Sequence, residues 1–577
     1  MLAILLATIA ISAPSSPLGD TLADPFAPTP SVPAASEHLD TVIVLRHGAL
    51  EDAKVLTAGD SLAFQVLEWL RDHVLHSRTS DATIRKRLIL KPGDRPDSLR
   101  LKEAGRLLRL ERFLADARVD TLRLDDGRLA LRAESWDRWS SATPFSMGRS
   151  GGEFNWFLGI REANLLGTGQ DLSIVYSSTE LQRGWTFDYA NTAVFAPGGQ
   201  IQASYVDLND GHDLAFTVGY PNRSRYQRWA WTLEGRDRVY QRRILATPSV
   251  RERFTREYGA TWSNDALFAV QPDSRFRWTR ASLIRYWGES TRLGISLVAE
   301  SELDSVASAK GAFTVDSAKL DATRQDPYYL AWRAPQPHRD DRRLGLALSV
   351  RGIDHVRLNN FNNLKWTEDI PLGWQLAMSA YANVLSSGDV RDDGLAQASA
   401  SWTGIAWNVY HTAATTWKSF FEGADARKGT STTRLEARWI PSSRFQTILS
   451  VSNDAIYGVP VYRSQLSLGE DNGLPGYPAR AFTGRGRFLS GAELRWTPPL
   501  EALTVAPALA VFGGTGRVSN EATWSDRGDW KTGMGVGLRF GMTRSISGVV
   551  NHLSISRPIG DGERKSWLVS FGAKQSL

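Results

Sequence analysis

Residues able to do chemistry are present in this chain, but their spacing assembles no reaction centre. Its 577 residues include nine scattered histidines, none at a metal-ligand spacing with carboxylates. There is no cysteine, which excludes disulfides, thiolate nucleophiles and cysteine-ligated zinc. Adjacent carboxylates such as Glu51-Asp52 and Asp340-Asp341 read as solvated loop residues. Gly513 to Gly516 and Gly484 to Gly486 lack the lysine and the following helix of a phosphate loop, so bends or close packing explain them better. The expectation is a protein that is not an enzyme and needs no metal, nucleotide or redox cofactor.

The densest group of special residues lies instead between Gln465 and Trp496. Two alternating runs there enclose a connector holding Gly469, Gly473, Gly476, Gly484 and Gly486, with Pro475 and Pro478. A connector of that length is seldom a passive hairpin turn. The elements around it have to be strands. No apolar run after the N-terminus approaches the ~20 residues of a membrane helix, and the other fold that can cross lipid is a closed β-barrel. The chain carries 21 tryptophans and 49 glycines, and tryptophan suits the aromatic girdles of such barrels. Leu172, Ile174 and Tyr176 alternate with polar or small neighbours, as do Leu214, Phe216, Val218 and Tyr220. Polar breaks at 303–328, 334–342 and 420–432 read as external loops. The net charge of +6 is small for this length and argues for loops and a lumen near anionic surfaces rather than for nucleic acid.

The N-terminal part reads differently. Residues 2–11 are an apolar run of signal-peptide length, and 14–36 are rich in proline, giving a signal peptide over 1–23 and a spacer over 24–39. A strand is expected at Thr41 to Leu45 and helices at Ser61 to His76 and Asp97 to Arg112. The second helix is capped by Asp97 or Ser98 and buries Leu101, Ala104, Leu107 and Leu108. Two strands, Ala117 to Leu124 and Arg128 to Glu134, pair across an Asp126-Gly127 turn.

Three resemblances follow from quoted residues. Leu45-Arg46-His47-Gly48 looks like the signature of histidine phosphatases, but that chemistry needs further arginines and histidine from an α/β domain of about 200 residues, which this region cannot supply. Ile84 to Asp94 (IRKRLILKPGD) with Leu99 to Val119 resembles a POTRA domain, expected over 40–134. Asp137-Arg138-Trp139-Ser140, then Asn164, Leu165, Gly167 and Gly169, then Gly476-Tyr477 and Glu493-Leu494-Arg495 resemble the BamA/TamA-like outer-membrane surface-antigen superfamily.

That resemblance implies a mostly β chain. A transmembrane antiparallel barrel of about sixteen strands would occupy 135–577, with a lid loop over 469–486. It implies an outer-membrane location with the POTRA-like domain in the periplasm, and a role in inserting or translocating polypeptides. Partners would be outer-membrane lipids and client polypeptides met at a POTRA edge strand and at the barrel seam. A passive channel or structural barrel is the alternative. The implied site is a lid tip of Gly476, Tyr477 and Arg480, a post-lid strand with Glu493 and Arg495, a start motif of Asn164, Gly167 and Gly169, and seam strands marked by Phe157 and Phe571. Two departures stand out. Pro475 occupies the family's lid arginine and Gly514 its wall aspartate, so the lid would be held by packing or by Arg480, Arg485 or Arg487.

Overall fold

The computed structural model describes residues 37–48, 78–246 and 248–573 except 143–144, 151–152, 180–181, 196, 263–266, 307, 334–337, 390–391, 460–463, 502–504, 520–528, 544–545, 547–549 and 561–566. The expected signal peptide, residues 24–36 of the expected spacer and the Ser61–His76 helix lie outside the described residues, whereas residues 37–39 of that spacer join the domain, with Leu39 buried in its core.

The N-terminal unit is a small α+β sandwich. Strand β1 (Thr41–His47) is parallel to β3 (Leu129–Asp137), which pairs antiparallel with β2 (Leu114–Arg123), in the order β1-β3-β2. Helices α1 (Asp81–Arg87) and α2 (Ser98–Arg109) cover one face. Asp97 caps α2 by accepting from the Arg100 amide at 2.7 Å, leaving Leu101, Ala104, Leu107 and Leu108 buried as their spacing requires. They meet Ile84, Phe113, Leu129 and Leu131 in one core. His47 is the last residue of β1. Its ring stacks on Trp136 and its Nε2 lies 2.8 Å from Glu134.

From Phe145 onward the chain makes a closed antiparallel barrel. Its longer strands are β4 (Phe145–Ser150), β5 (Glu153–Glu162), β6 (Gln170–Ser178), β7 (Arg183–Asn191), β8 (Gln200–Leu208), β9 (Gly211–Tyr220) and β10 (Trp229–Leu245). Helix α3 (Pro248–Tyr258) precedes β11 (Leu267–Trp287) and β12 (Thr291–Ser305); helices α4 (Leu320–Gln325) and α5 (Pro327–Arg333) precede β13 (Arg339–Asn359). Then come β14 (Thr367–Ser386), β15 (Gly394–Ala406), β16 (Val409–Glu422), β17 (Asp425–Ser442) and β18 (Phe445–Tyr457). The lid intervenes before β19 (Gly486–Trp496), β20 (Val505–Ser519), β21 (Lys531–Met542), β22 (Val550–Ile559) and β23 (Leu568–Ala573), which closes onto β4.

The ring thus has about twenty strands among the described residues, not about sixteen. The expected loop at 303–328 is real and carries α4, but Arg339 to Arg342 belong to β13, and 420–432 is the tip of the β16–β17 hairpin, turning at Gly423-Ala424. Helix α3, unexpected from the sequence, packs Phe254 against Phe268, Phe313 and Tyr328 at the lid end.

Strand β12 shows how the wall is built. Leu293, Ile295 and Leu297 point outward and are exposed, while Arg292, Ser296, Val298 and Glu300 are buried on the lumen side. That is the alternation of a barrel standing in lipid. Exposed Trp229, Trp287, Trp439 and Trp496 stand near strand ends on the side of the N-terminal domain, and Trp185, Trp417 and Trp567 near the opposite ends. One cluster of lumen charges is mutually paired: Arg343 reaches Glu300, Glu302 and Asp341 at 2.9, 2.8 and 2.6 Å. Among the described residues no helix is long and apolar enough to cross a membrane.

Candidate functional site

The lid is a small structure of its own. Leu466–Leu468 pairs with Phe482–Gly484, and the chain between them turns through Glu470–Asn472. Leu468, Leu474 and Tyr477 are buried together, with Phe482, Leu489 and Val518 against them. The tip is pressed flat on the barrel wall. Gly514 on β20 and Gly533 on β21 are cross-strand partners facing the lumen, and Pro475 covers them. A Cβ on Gly533 would sit 1.9 Å from the Pro475 carbonyl, and one on Gly514 would sit 3.2 Å from the Pro475 ring. Gly476 has φ +80°, and its own Cβ would strike the Arg557 backbone of β22 at 2.3 Å. Only glycine allows both the dihedral and the approach. The Tyr477 hydroxyl donates to the Thr532 carbonyl at 3.2 Å.

Pro475 and Gly514, read from the sequence as a charged pair lost together, are therefore in contact. A tip held by shape needs no buried ion pair.

Of the three candidate arginines, Arg487 takes the anchoring role. It donates to Asp454 on β18 at 2.7 Å, to the Ser467 carbonyl at 2.9 Å and to Asn472 at 3.2 Å, joining wall to lid. Arg485 extends the pairing between Ile456 and Ser519 through its backbone, and its guanidinium donates to the Val459 carbonyl at 3.3 Å. Arg480 makes a backbone contact inside the lid. It sits at φ +53°, and its amide donates to Asp471 within the lid. A residue that the sequence did not single out, Glu470, is buried and accepts from Ser556 on β22 at 2.9 Å and Ser570 on β23 at 3.1 Å.

Glu493 and Arg495 lie on the lumen face of β19, with Leu494 exposed between them. The two bond each other at 2.6 Å, and Arg539 of β21 completes the cluster at 3.0 Å. They form one buried unit across three strands, away from the lid tip.

The start motif positions the N-terminal domain. Asn164 accepts from the Gly169 amide at 2.7 Å and donates to Thr79 at 2.9 Å. Thr79 in turn donates twice to Asp137, the first residue of the linker motif. The Gly167 carbonyl accepts from the Ser80 amide and the Thr83 hydroxyl, and the Gly169 carbonyl from Arg87. Both glycines have φ near +70°, and a Cβ on either would strike the domain, at Arg78 or Arg87. Here the glycines serve a docking surface.

Ion pairs continue that surface around the barrel mouth. Arg109 of α2 makes a bidentate pair with Asp369 of β14 at 2.7 and 2.9 Å. Glu111 accepts from Arg223 at 3.0 Å and lies 3.2 Å from Arg87, and Arg357 reaches Asp116 at 2.6 Å. Burial alone would raise the Glu103 carboxyl, but Arg106 and Arg225 overcome it, so its pKa lies below the ordinary carboxylate value. A second layer lies beneath the domain, also unread from the sequence. The β13–β14 turn folds into the lumen, burying Leu364 against Ala506, Ala508 and Val550. Trp366 donates to the Met542 carbonyl and Arg138 stacks on it at 3.6 Å.

The seam differs from expectation. Phe157 lies on β5, opposite Ser146 and Ser177, and β4 stands between β5 and the last strand. Phe571 pairs with Arg149 of β4 instead, so Phe157 and Phe571 do not meet. The polar residues of Phe145–Ser150 hide this strand, because they lack a clear apolar alternation.

This is a lidded barrel. No family model matches the chain and no curated protein does. Among solved structures the lidded barrel is similar to CdiB from Escherichia coli, at TM-score 0.44 and 10% identity, over 94% of this chain and 92% of that one. CdiB from Acinetobacter baumannii scores 0.43 at 12% identity, over 93% and 73%. BamA from Haemophilus ducreyi lacking POTRA domains 1–3 scores 0.37 at 11% identity, over 92% and 84%. At those values the closed pairing of its own strands, rather than the likeness, carries the barrel.

Proposed function

We propose that the lidded barrel stands in a bacterial outer membrane with its N-terminal, POTRA-like domain on the periplasmic side, and that it helps other polypeptides insert into or cross that membrane. The observation carrying this reading is the seam. Among the described residues β23 and β4 share one register pair, whereas β13 and β14 share nineteen. A barrel edge in lipid must stay paired, so the least-paired junction is where an incoming strand costs least to exchange. Gly148 and Gly572 lie against each other there, with no side chain to brace the contact. The β1-β3-β2 sheet adds an edge strand able to accept an extended segment. Lid and inward turn both occupy the lumen, which favours a gated device over a permanently open channel. No enzymatic step is invoked.

The chain's lack of cysteine makes the test clean. Arg149→Cys with Phe571→Cys places two thiols at paired positions, within the ~7 Å between Cα atoms that a disulfide tolerates. The oxidised protein should fail to support outer-membrane protein assembly and recover on reduction, with a heat-modifiable fold in both states. Full activity with the disulfide quantitatively formed would sink the strand-exchange reading in favour of a static barrel.

A further inference from the structure

The outward wall carries an arginine that the chain itself does not answer. Arg285 lies on the outward file of β11 with Leu283 and Trp287, and its cross-strand partners are Trp229 on β10 and Ile295 on β12. All four neighbours are exposed. The Arg285 guanidinium sits 4.7 Å from the Trp229 ring centroid and 5.9 Å from that of Trp287. Trp229 begins β10 and Trp287 ends β11, so the group stands at the rim nearest the N-terminal domain. No hydrogen bond or ion pair to Arg285 occurs among the described residues.

The same file supplies its own contrast. Toward the lid end, Arg275 and Arg277 both reach Asp237, at 2.8 and 2.9 Å. Outward arginines are thus given a carboxylate at one end of β11 and an open indole clamp at the other. Indole faces attract a cation but leave its N–H edge free for oxygen acceptors. A planar guanidinium matches the oxygens of a phosphate in bidentate fashion. Exposed Arg228, just before Trp229, adds a second cation at this rim, and Glu289 lies in the turn that follows Trp287.

We infer that Trp229, Arg285 and Trp287 form a headgroup site for the phosphate of a phospholipid in the leaflet facing the N-terminal domain. The site rests on the membrane reading above, with apolar Leu283, Ile295 and Leu297 running toward the acyl chains. The test uses the full-length protein in nonionic detergent, with native mass spectrometry reading retained phosphatidylglycerol. Arg285→Gln should lower retention about tenfold, and Trp229→Leu with Trp287→Leu should lower it less, while Arg277→Gln leaves it unchanged. A phosphate-free diacyl glycolipid should be retained equally by Arg285→Gln and the parent. Equal phosphatidylglycerol retention in Arg285→Gln, with a heat-modifiable fold, overturns the site. Displacement of the lipid by glycerol 3-phosphate or inorganic phosphate at matched concentration overturns the lipid as its source. Vesicles of brominated phosphatidylglycerol separate the two readings: unquenched tryptophan fluorescence on reconstitution removes the membrane reading and this site with it, whereas quenching with unchanged Arg285→Gln retention removes the site alone.

Discussion

Two segments enter the lumen from opposite ends and come to rest on one strand. On β21 the inward positions are Gly533, Gly535, Gly537 and Gly541, interrupted by Arg539. The lid lays Pro475 on Gly533, and the β13–β14 turn lays Leu364 on Gly541, where a Cβ would meet the Leu364 side chain at 2.6 Å. The same solution, bare backbone under an apolar cover, is held in two ways. At the lid tip the cover is fixed by shape and the Tyr477–Thr532 hydrogen bond, with Glu470 and Arg487 set behind it. At the other mouth the turn lies beneath a domain fastened by ion pairs at Asp369, Glu111 and Asp116. The difference teaches that the lid tip is seated by packing, with its charged anchors set back from it, while the domain is held by ion pairs spread around the barrel mouth.

The sharpest way to break the comparison is at the tip. Gly476→Val adds both dihedral strain and a clash with β22, on the order of 3 kcal/mol. It should unseat the lid without loosening the domain, seen as new protease cleavage within 469–486 alone. Domain docking should be next most sensitive. Asp369→Ala leaves Arg109 without its bidentate partner in a largely buried site, a loss of about 3 kcal/mol at most in docking. Faster proteolytic release of the domain, with an unchanged lid, is the expected result.

A smaller contrast lies within the lid. Arg487→Ala should lower the heat-modification midpoint by an amount reflecting about 1–3 kcal/mol, because Asp454 loses one of its two arginines. Arg480→Ala should lower it less than Arg487→Ala does. The smallest effect concerns acid. The folded pKa of Glu103 is depressed, so its contribution is present above its unfolded pKa and fades as pH falls through the lowered folded value. Docking should weaken in that acid window, read as faster proteolytic release of the domain, and Glu103→Gln should abolish that part of the dependence.

Much of this was legible in advance, for a local reason. Asp97 caps α2 because an N-cap needs only its own turn, and the Asp126-Gly127 hairpin forms because Gly127 supplies φ +84°. The coupled change at Pro475 and Gly514 was readable as a pair because each residue alone would be costly. What escaped had non-local causes. Strand β4 carries little apolar alternation, so the seam was placed one strand late. The tips of β16 and β17 were taken for a loop since strands standing clear of the wall show water both faces. The β21 glycine file was missed, although its period of two, Gly533 to Gly537, is a signal that could have found it.

By itself the sequence showed period-two alternation and, after the N-terminus, no apolar run long enough for a membrane helix, a pattern that fits strands with one apolar face. It also placed proline at 475 and glycine at 514, so that these two positions could not form an ion pair with each other. Only the tertiary structure decided which arginine would anchor the lid, that the Asn164–Gly169 motif would serve as a dock, and that the turn at Leu364 would fold inward. Each of those depends on groups brought together from distant parts of the chain, and a residue's neighbours in sequence carry no record of the partner that ring closure sets beside it.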